Sequence, residues 1–335
     1  MSLQSKRHLK TLTALTALAL LLSGCAAKPA PQPASETRLL LDTVCTITIY
    51  DPPDQALVSE AMDLCEKYNI MFSIAQEDGD VWRINHAGGA PVTVDPQTAE
   101  LISLGLRYGD YSNGAFDITI GRVSTLWDFS GHPSVPSASD LATALSTVDY
   151  RQVDVTGNTV RLNNPEAWID LGGIAKGYIA DQLAAFLKER GVKAAVIDLG
   201  GNVLIVGAKP DGSQWHVGIK QPFSTGSEIV GALTIGEASI VTSGIYERQF
   251  ERDGVLYHHI LDPSTGEPAK TDVVSATIVT ESSVIGDAMS TIVILNGSVR
   301  AEGLLKDVPG YMGAILMLDD GQMVQFGDIN FQPIS

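Results

Sequence analysis

The sequence predicts an α+β fold, a single domain in which mixed sheets and helices follow one another in no repeating order. Strand-length and helix-length stretches alternate irregularly, without the strict strand–helix–strand rhythm of a doubly wound sheet. Glycine turns at Gly157-Asn158, Asp253-Gly254 and Asp320-Gly321 each separate two apolar runs, which marks antiparallel hairpins. At 335 residues, 44% of them hydrophobic, the chain can fill one large core or two closely packed ones, and it carries no internal repeat.

Each element has a local cause. Cys45, Ile47 and Ile49 alternate with Thr46 and Thr48, as in a half-buried strand. Asp54 caps a helix running to Met71, and Asp95-Pro96 opens a second helix that Asn113-Gly114 ends. Val153–Leu162 reads as a hairpin. A helix after Ile169–Asp181 reaches Arg190 and closes at Gly191. Ala194–Leu199 and Val203–Val206 are strands joined through Gly200-Gly201-Asn202, followed by strands Trp215–Lys220 and Ala232–Ile235. Ser239–Gly244 leads into a hairpin of Tyr246–Phe250 and Val255–Ile260, which sets His258 and His259 on its return strand. Val274–Val279 is a strand and Ser283–Leu295 a helix.

The chain has 22 basic and 39 acidic residues, a formal charge of −17, which argues against nucleic acid as a partner. An anionic ligand would need a local site made of a metal, a lysine or backbone dipoles. Cys45 and Cys65 suit buried small hydrophobes, and no cysteine or histidine spacing suggests zinc or iron–sulfur.

Lys6, Arg7, His8 and Lys10 precede an apolar run from Thr11 to Leu22, too short to span a bilayer comfortably. Leu22-Ser23-Gly24-Cys25 then resembles a bacterial lipobox, in which Cys25 becomes the lipidated first residue. An ordinary signal peptide cleaved near Ala26-Ala27 is the alternative. The lipobox reading divides the chain into a signal peptide (1–24), a lipidated cysteine with a flexible tether (25–37) and a domain (38–333). It places the protein at the extracytoplasmic face of a bacterial cell membrane, held by its lipid.

The stretch Ile169–Asp181, IDLGGIAKGYIAD, carries the densest chemistry. A strand, a glycine turn and a helix in succession can aim backbone amides at phosphate, with Gly172 and Gly173 free to adopt positive φ. Lys176 adds a mobile positive charge, and Asp170 can receive a hydrogen bond from a base or ribose. A capped helix after a tight turn explains the same residues. Asp287 and Thr291 are spaced i, i+4, so a carboxylate and a hydroxyl share one helix face, a pair that suits Mg²⁺ but also occurs in ordinary packing. Strand alternation lets only one of His258 and His259 face a given site. Phe116-Asp117 suits a ring edge or a buried helix end.

Together the segments resemble the ApbE family of FAD:protein FMN transferases. The matching pieces are GAFDIT at Gly114–Thr119, Leu126-Trp127, DLGGIAKGY at Asp170–Tyr178, GGN at Gly200–Asn202 and Trp215–Ile219. They continue with SIVTSGIYER at Ser239–Arg248, YHHILDPSTGEP at Tyr257–Pro268 and DAMST at Asp287–Thr291. The resemblance implies one α+β domain with FAD between two sub-lobes. It implies Mg²⁺-dependent transfer of FMN from FAD to a threonine or serine of a partner protein with an acceptor motif, with AMP released. Asp287, Thr291 and the Gly173 carbonyl would hold Mg²⁺. Leu41, Ala115, Phe116, Asp117, Asp170, Lys176 and Ile260 would line FAD. His259 would help deprotonate the acceptor, with His258 in reserve, acting near the ordinary histidine pKa of about 6.5.

Two departures stand out. Phe72-Ser73-Ile74-Ala75 lacks the aromatic that the family often carries after the first helix, and the pattern that follows is degraded to Asp80-Val81-Trp82-Arg83-Ile84-Asn85, in which Trp82 is a candidate replacement for the lost ring. Two rival activities use the same features: splitting of FAD to FMN and AMP without an acceptor, and flavin binding without catalysis.

Overall fold

Eight strands form the main sheet, and they lie side by side in chain order, each antiparallel to its neighbour. They are Ala34–Leu40, Thr43–Asp51, Ala194–Leu199, Asn202–Val206, Ser239–Gly244, Val273–Thr280, Tyr311–Leu318 and Met323–Gly327. The computed structural model describes residues 32–129 and 131–334, of which Pro33 onward forms the compact unit. The leader 1–24 and Cys25 lie outside the described residues.

Both faces of this sheet are covered. Helices Gln55–Phe72, Ala175–Glu189 and Ser283–Asn296 pack on one face, over a core that includes Cys45, Ile47, Ile197, Ala276 and Ile278. A three-stranded sheet of Phe331–Pro333, Ile229–Ile235 and Trp215–Lys220 covers the other, against Ile205, Ile240, Val279 and Ile315. Successive strand residues point to opposite faces. Val273–Thr280, packed on both, is therefore buried at every position and reads as an apolar run rather than an alternation. A satellite core of Val123, Trp127, Ala144 and Leu261 lies beneath the hairpin Gln249–Arg252/Val255–His258, whose Phe250 and Tyr257 pack on Trp127. Val92–Thr93, Thr159–Leu162 and Val153–Thr156 form a small separate sheet.

Most predicted elements are present, with three differences. The first strand begins at Ala34, inside the stretch read as tether, and pairs Ser35 and Thr37 with Thr48 and Thr46. The hairpin is shorter than the sequence suggested. Ile245–Arg248 is a turn in which the Tyr246 ring folds over Gly244, and the return strand stops at His258, leaving His259 beyond it. Gly172 and Gly173 adopt no positive φ. A β-carbon on Gly173 would lie 3.0 Å from the Phe116 ring and press on it, so close packing rather than a turn conformation is what glycine serves there. Cys45 and Cys65 are free buried thiols, as expected.

Candidate active site

The site is built where two helices exchange carboxylates. At the N-terminus of Ala175–Glu189, no side chain of the preceding residue caps the helix, so its first amides need partners from elsewhere. Asp287, from helix Ser283–Asn296, accepts the Gly177 amide through Oδ2 at 2.8 Å. Asp181, from the first helix, accepts the Ser283 and Val284 amides at 2.8 and 3.0 Å and the Ser282 hydroxyl at 2.7 Å. Each helix thus supplies the negative cap of the other, an arrangement favoured by both helix dipoles. Burial raises the Asp181 carboxyl above the usual range even so. The helices cross closely because position 177 is glycine: a β-carbon there would meet the Ser283 carbonyl at 2.4 Å and the Asp287 Cβ at 2.7 Å.

This crossing brings the predicted metal ligands together. A β-carbon on Gly173 would stand 3.9 Å from Thr291 Oγ1, one helical turn beyond Asp287. Asp287 is 2% exposed, and among the described residues it forms no ion pair. A buried carboxylate with no cationic partner, one helical turn from a hydroxyl, is an oxygen donor pair that fits a hard cation. No group of three or more His, Cys, Asp or Glu side chains forms a metal cluster among the described residues, so any metal here would rest on this single acid. The Gly177 amide is spent on Asp287 and the Gly172 amide on Asp170 Oδ1, so these two do not point at a phosphate as the sequence suggested.

The predicted flavin contacts do not share one cavity. Ala115 lines an open cavity of about 670 Å³ with Asn113, Asp262, Ser264, Asn296 and Arg300. Leu41 lies elsewhere, in a groove of about 540 Å³ with Asp42, Thr43 and Asn69. Leu41 and Asp42 both take left-handed backbone conformations, φ 55° and 56°, in the two-residue turn joining the first strands. Such a conformation is uncommon for leucine, and the Asn69 side chain holds it by accepting the Leu41 amide at 3.1 Å. Ile260 and Phe116 are buried, Phe116 against Tyr108 and Gly173.

Asp117 and Asp170 are already engaged. Asp117 accepts both the amide and the hydroxyl of Thr119, at 2.7 and 2.6 Å, and the Tyr150 amide. Burial raises its carboxyl above the ordinary range despite these donors. Asp170 accepts the Ser124 hydroxyl at 2.7 Å as well as the Gly172 amide. Both acids therefore shape the walls of the site by fixing its turns. Trp82 stacks on His86, with ring centroids 4.0 Å apart, and His86 leans on Trp168, over which Arg122 lies at 4.1 Å.

The two histidines differ sharply. His258 is buried, with Nε2 placed to donate to the Ala269 carbonyl at 3.2 Å, which makes it part of the packing. His259 is half-buried, and its amide and Nδ1 lie 3.1 and 3.3 Å from the Arg248 carbonyl. A carbonyl only accepts, so Nδ1 carries the proton and Nε2 is left as a base. Burial, then the charges of Arg248 and Lys176, push the ring's pKa down to about 3, far below the ordinary value.

Two residues escaped the sequence reading. Asp181 ends the IDLGGIAKGYIAD stretch, but its capping role depends on a helix about 100 residues away. Arg248 closes the SIVTSGIYER segment, and only the folded hairpin sets it against His259.

Comparison with known proteins gives concordant results. The model of the ApbE family matches residues 41–316. An FAD:protein FMN transferase of Treponema pallidum is 34% identical over 307 residues, covering 85% of each chain. One of Vibrio cholerae is 31% identical over 335 residues, covering 96% of this chain and 98% of its own. The crystal structure of the ApbE protein from Thermotoga maritima superimposes with a TM-score of 0.79 at 31% identity, covering 88% of this chain and 97% of that one.

Proposed function

The chain belongs to the ApbE family, and from that membership we propose how its residues carry out the reaction. Its activity is the transfer of FMN from FAD to a protein. The acceptor is a threonine or serine hydroxyl in a recognition motif of the partner. The new bond is a phosphodiester, and AMP leaves.

Asp287, Thr291 and the Gly173 carbonyl would hold Mg²⁺, which when bound neutralises diphosphate charge and polarises the phosphoryl group. Lys176 adds a second positive charge beside the same diphosphate. Ala115, Phe116, Ile260 and Leu41 shape the FAD site, and Asp117 and Asp170 fix the turns around it. His259 takes the acceptor's hydroxyl proton at Nε2. The hydroxyl oxygen then bonds to the FMN phosphorus as the bridging oxygen departs with AMP, taking its electron pair. We assign the chain to the extracytoplasmic face of a bacterial membrane through lipid on Cys25.

One observation carries this assignment of residues. The Gly177–Asp287 hydrogen bond and the packing of Gly173 toward Thr291 join two distant motifs into one oxygen-lined corner. Incubation with FAD, Mg²⁺ and a threonine-bearing acceptor tests it. Flavinylated acceptor with equimolar AMP supports transfer. FMN and AMP without flavinylation would make the protein a hydrolase, and unchanged FAD would leave it a binding protein.

A further inference from the structure

Ile169 leads into the turn that carries Gly173, and its segment is held along both edges. On one edge the Gly121 amide donates to the Trp168 carbonyl at 3.0 Å, and the Asp170 amide donates to the Ile118 carbonyl at 2.7 Å. Trp168 thereby forms a parallel bridge with Ile120, in the stretch that follows Phe116 and Asp117. Backbone groups of an extended chain alternate between edges, so the amide and carbonyl of Ile169 face the other way. Among the described residues no strand pairs with that edge. The Asn85 side chain stands there instead. Its Oδ1 accepts the Ile169 amide at 2.7 Å, and its Nδ2 donates to the Ile169 carbonyl at 2.9 Å. One carboxamide thus serves both backbone groups as a neighbouring strand would. Asn85 is 4% exposed and Ile169 is fully buried, so neither backbone group has solvent as a substitute partner.

Asn85 is itself fixed. It ends the helix Asp80–Asn85, whose Asp80 accepts the Asp95 amide at 2.8 Å and the Thr98 hydroxyl at 2.6 Å. The next residue, His86, sets its ring against Trp168. Beyond Ile169 the turn is braced by its own bonds. The Gly172 amide donates to Asp170 Oδ1 at 2.9 Å, and the Leu171 carbonyl accepts the Ile174 and Ala175 amides at 3.0 and 2.8 Å. A braced turn moves with the residue it hangs from, so the placing of Ile169 sets where Gly173 stands against Phe116 and Thr291. We propose that Asn85 is a positioning residue for the metal corner: its carboxamide acts as a missing strand and holds the Gly173 turn in register with Asp287 and Thr291. Without it, two buried backbone groups lose their partners and the segment is held along one edge only. The inference rests on the metal site proposed above.

The test separates placement from stability in the full chain. Asn85→Asp keeps the size of the side chain and an acceptor for the Ile169 amide, but sets a carboxylate oxygen against the Ile169 carbonyl. Asn85→Ala removes both bonds. Leu233→Ala, in the core on the far face of the main sheet, is the control for general loosening. Each variant is melted and titrated with Mn²⁺ alone. Both Asn85 variants should bind Mn²⁺ at least about 10-fold more weakly, the scale of a lost outer-shell partner. The Mg²⁺ concentration that gives half-maximal transfer should rise with it, and saturating Mg²⁺ should recover most of the rate. Leu233→Ala should melt lower and bind Mn²⁺ as wild type does. If Asn85→Ala does not fold, Asn85→Asp decides. A folded Asn85→Asp with wild-type Mn²⁺ affinity overturns the proposal. So does an equal loss of affinity in Leu233→Ala, which would make the effect one of stability alone. Wild-type Mn²⁺ affinity in Asp287→Asn would refute the metal site itself, a different failure from an ineffective Asn85 variant.

Discussion

Asp287 gives one carboxylate oxygen to the Gly177 amide, so the same acid closes a helix terminus and stands as the one charged ligand of the candidate metal site. The two roles come apart by mutation. Asp287→Asn keeps an acceptor for the Gly177 amide but loses the charge that a cation needs. It should fold with a melting temperature near wild type, bind Mn²⁺ far more weakly in a titration and show no metal-dependent transfer. Asp287→Ala loses both roles and should also be less stable by about 1 kcal/mol, the scale of a lost cap. Thr291→Ala removes a neutral ligand and should weaken metal binding less than Asp287→Asn does. Near-normal activity of Asp287→Ala at saturating Mg²⁺ would reject the site.

Gly177→Ala tests the helix crossing itself. The added methyl would have to displace the Ser283 carbonyl and the Val284 backbone, neither of which is a flexible side-chain end. Overpacking of this kind costs about 1–3 kcal/mol, and it should also disturb Asp287, lowering metal affinity along with the melting temperature. Gly303→Ala is the control: it lies in helix Ser298–Leu305 with nothing near its added methyl, and should be neutral or stabilising by about 0.5–1 kcal/mol. Equal stability of the two variants would show that the crossing tolerates a shift.

Much of this site was legible in the sequence because its chemistry sits in short contiguous motifs. The i, i+4 spacing of Asp287 and Thr291 needs only a helix, and that helix is present. Asp54 and Asp95 were legible as caps because each accepts amides of its own helix. Asp181 looks like an ordinary helical residue, and its true partners are the amides of another helix, which no local pattern reveals. The glycines mislead for a related reason. Glycine in a turn suggests positive φ, but Gly177 is required, and Gly173 kept tight, by neighbours that only the fold supplies. His259 could be placed on a hairpin, but its burial could not be read, because the segments that cover it are distant in sequence.

Asp181→Ala should destabilise the protein more than an exposed cap substitution would. It strips partners from the Ser283 and Val284 amides and the Ser282 hydroxyl at a buried helix end. Losing one buried partner costs about 1–3 kcal/mol, so thermal unfolding should shift down by several degrees. Metal affinity should fall with it, since the helix that carries Asp287 loses its anchor. An unchanged melting temperature would mean that water replaces the carboxylate without cost.

Cys25→Ser tests the membrane assignment independently of the chemistry. The full-length chain expressed in bacteria should partition with membranes and label with a fatty-acid probe, and the variant should do neither. Equal partitioning of the two would refute lipidation at this residue.

The pH dependence of transfer separates His259 as base from His259 as scaffold. The ring's folded pKa of about 3 lies below its unfolded value of about 6.5, so the free enzyme keeps His259 neutral across the physiological range. The acid limb of kcat/KM, which reports the free enzyme, should therefore lie well below pH 6.5, and the rate between pH 6 and 8 should not fall on account of this group. The same shift has a stability consequence of definite sign. As pH drops below about 6.5 the unfolded chain takes up a proton at this residue while the native ring does not, so stability declines from there toward the folded pKa. His259→Ala should remove that part of the acid sensitivity. It should also lower transfer by about 10²–10⁴-fold, the usual loss for a general base, with FAD binding intact. Loss of FAD binding would instead make His259 a contact residue. An acid limb centred near pH 6.5 in wild-type kcat/KM would show that the free enzyme does not hold the ring neutral as its buried, cation-flanked position requires.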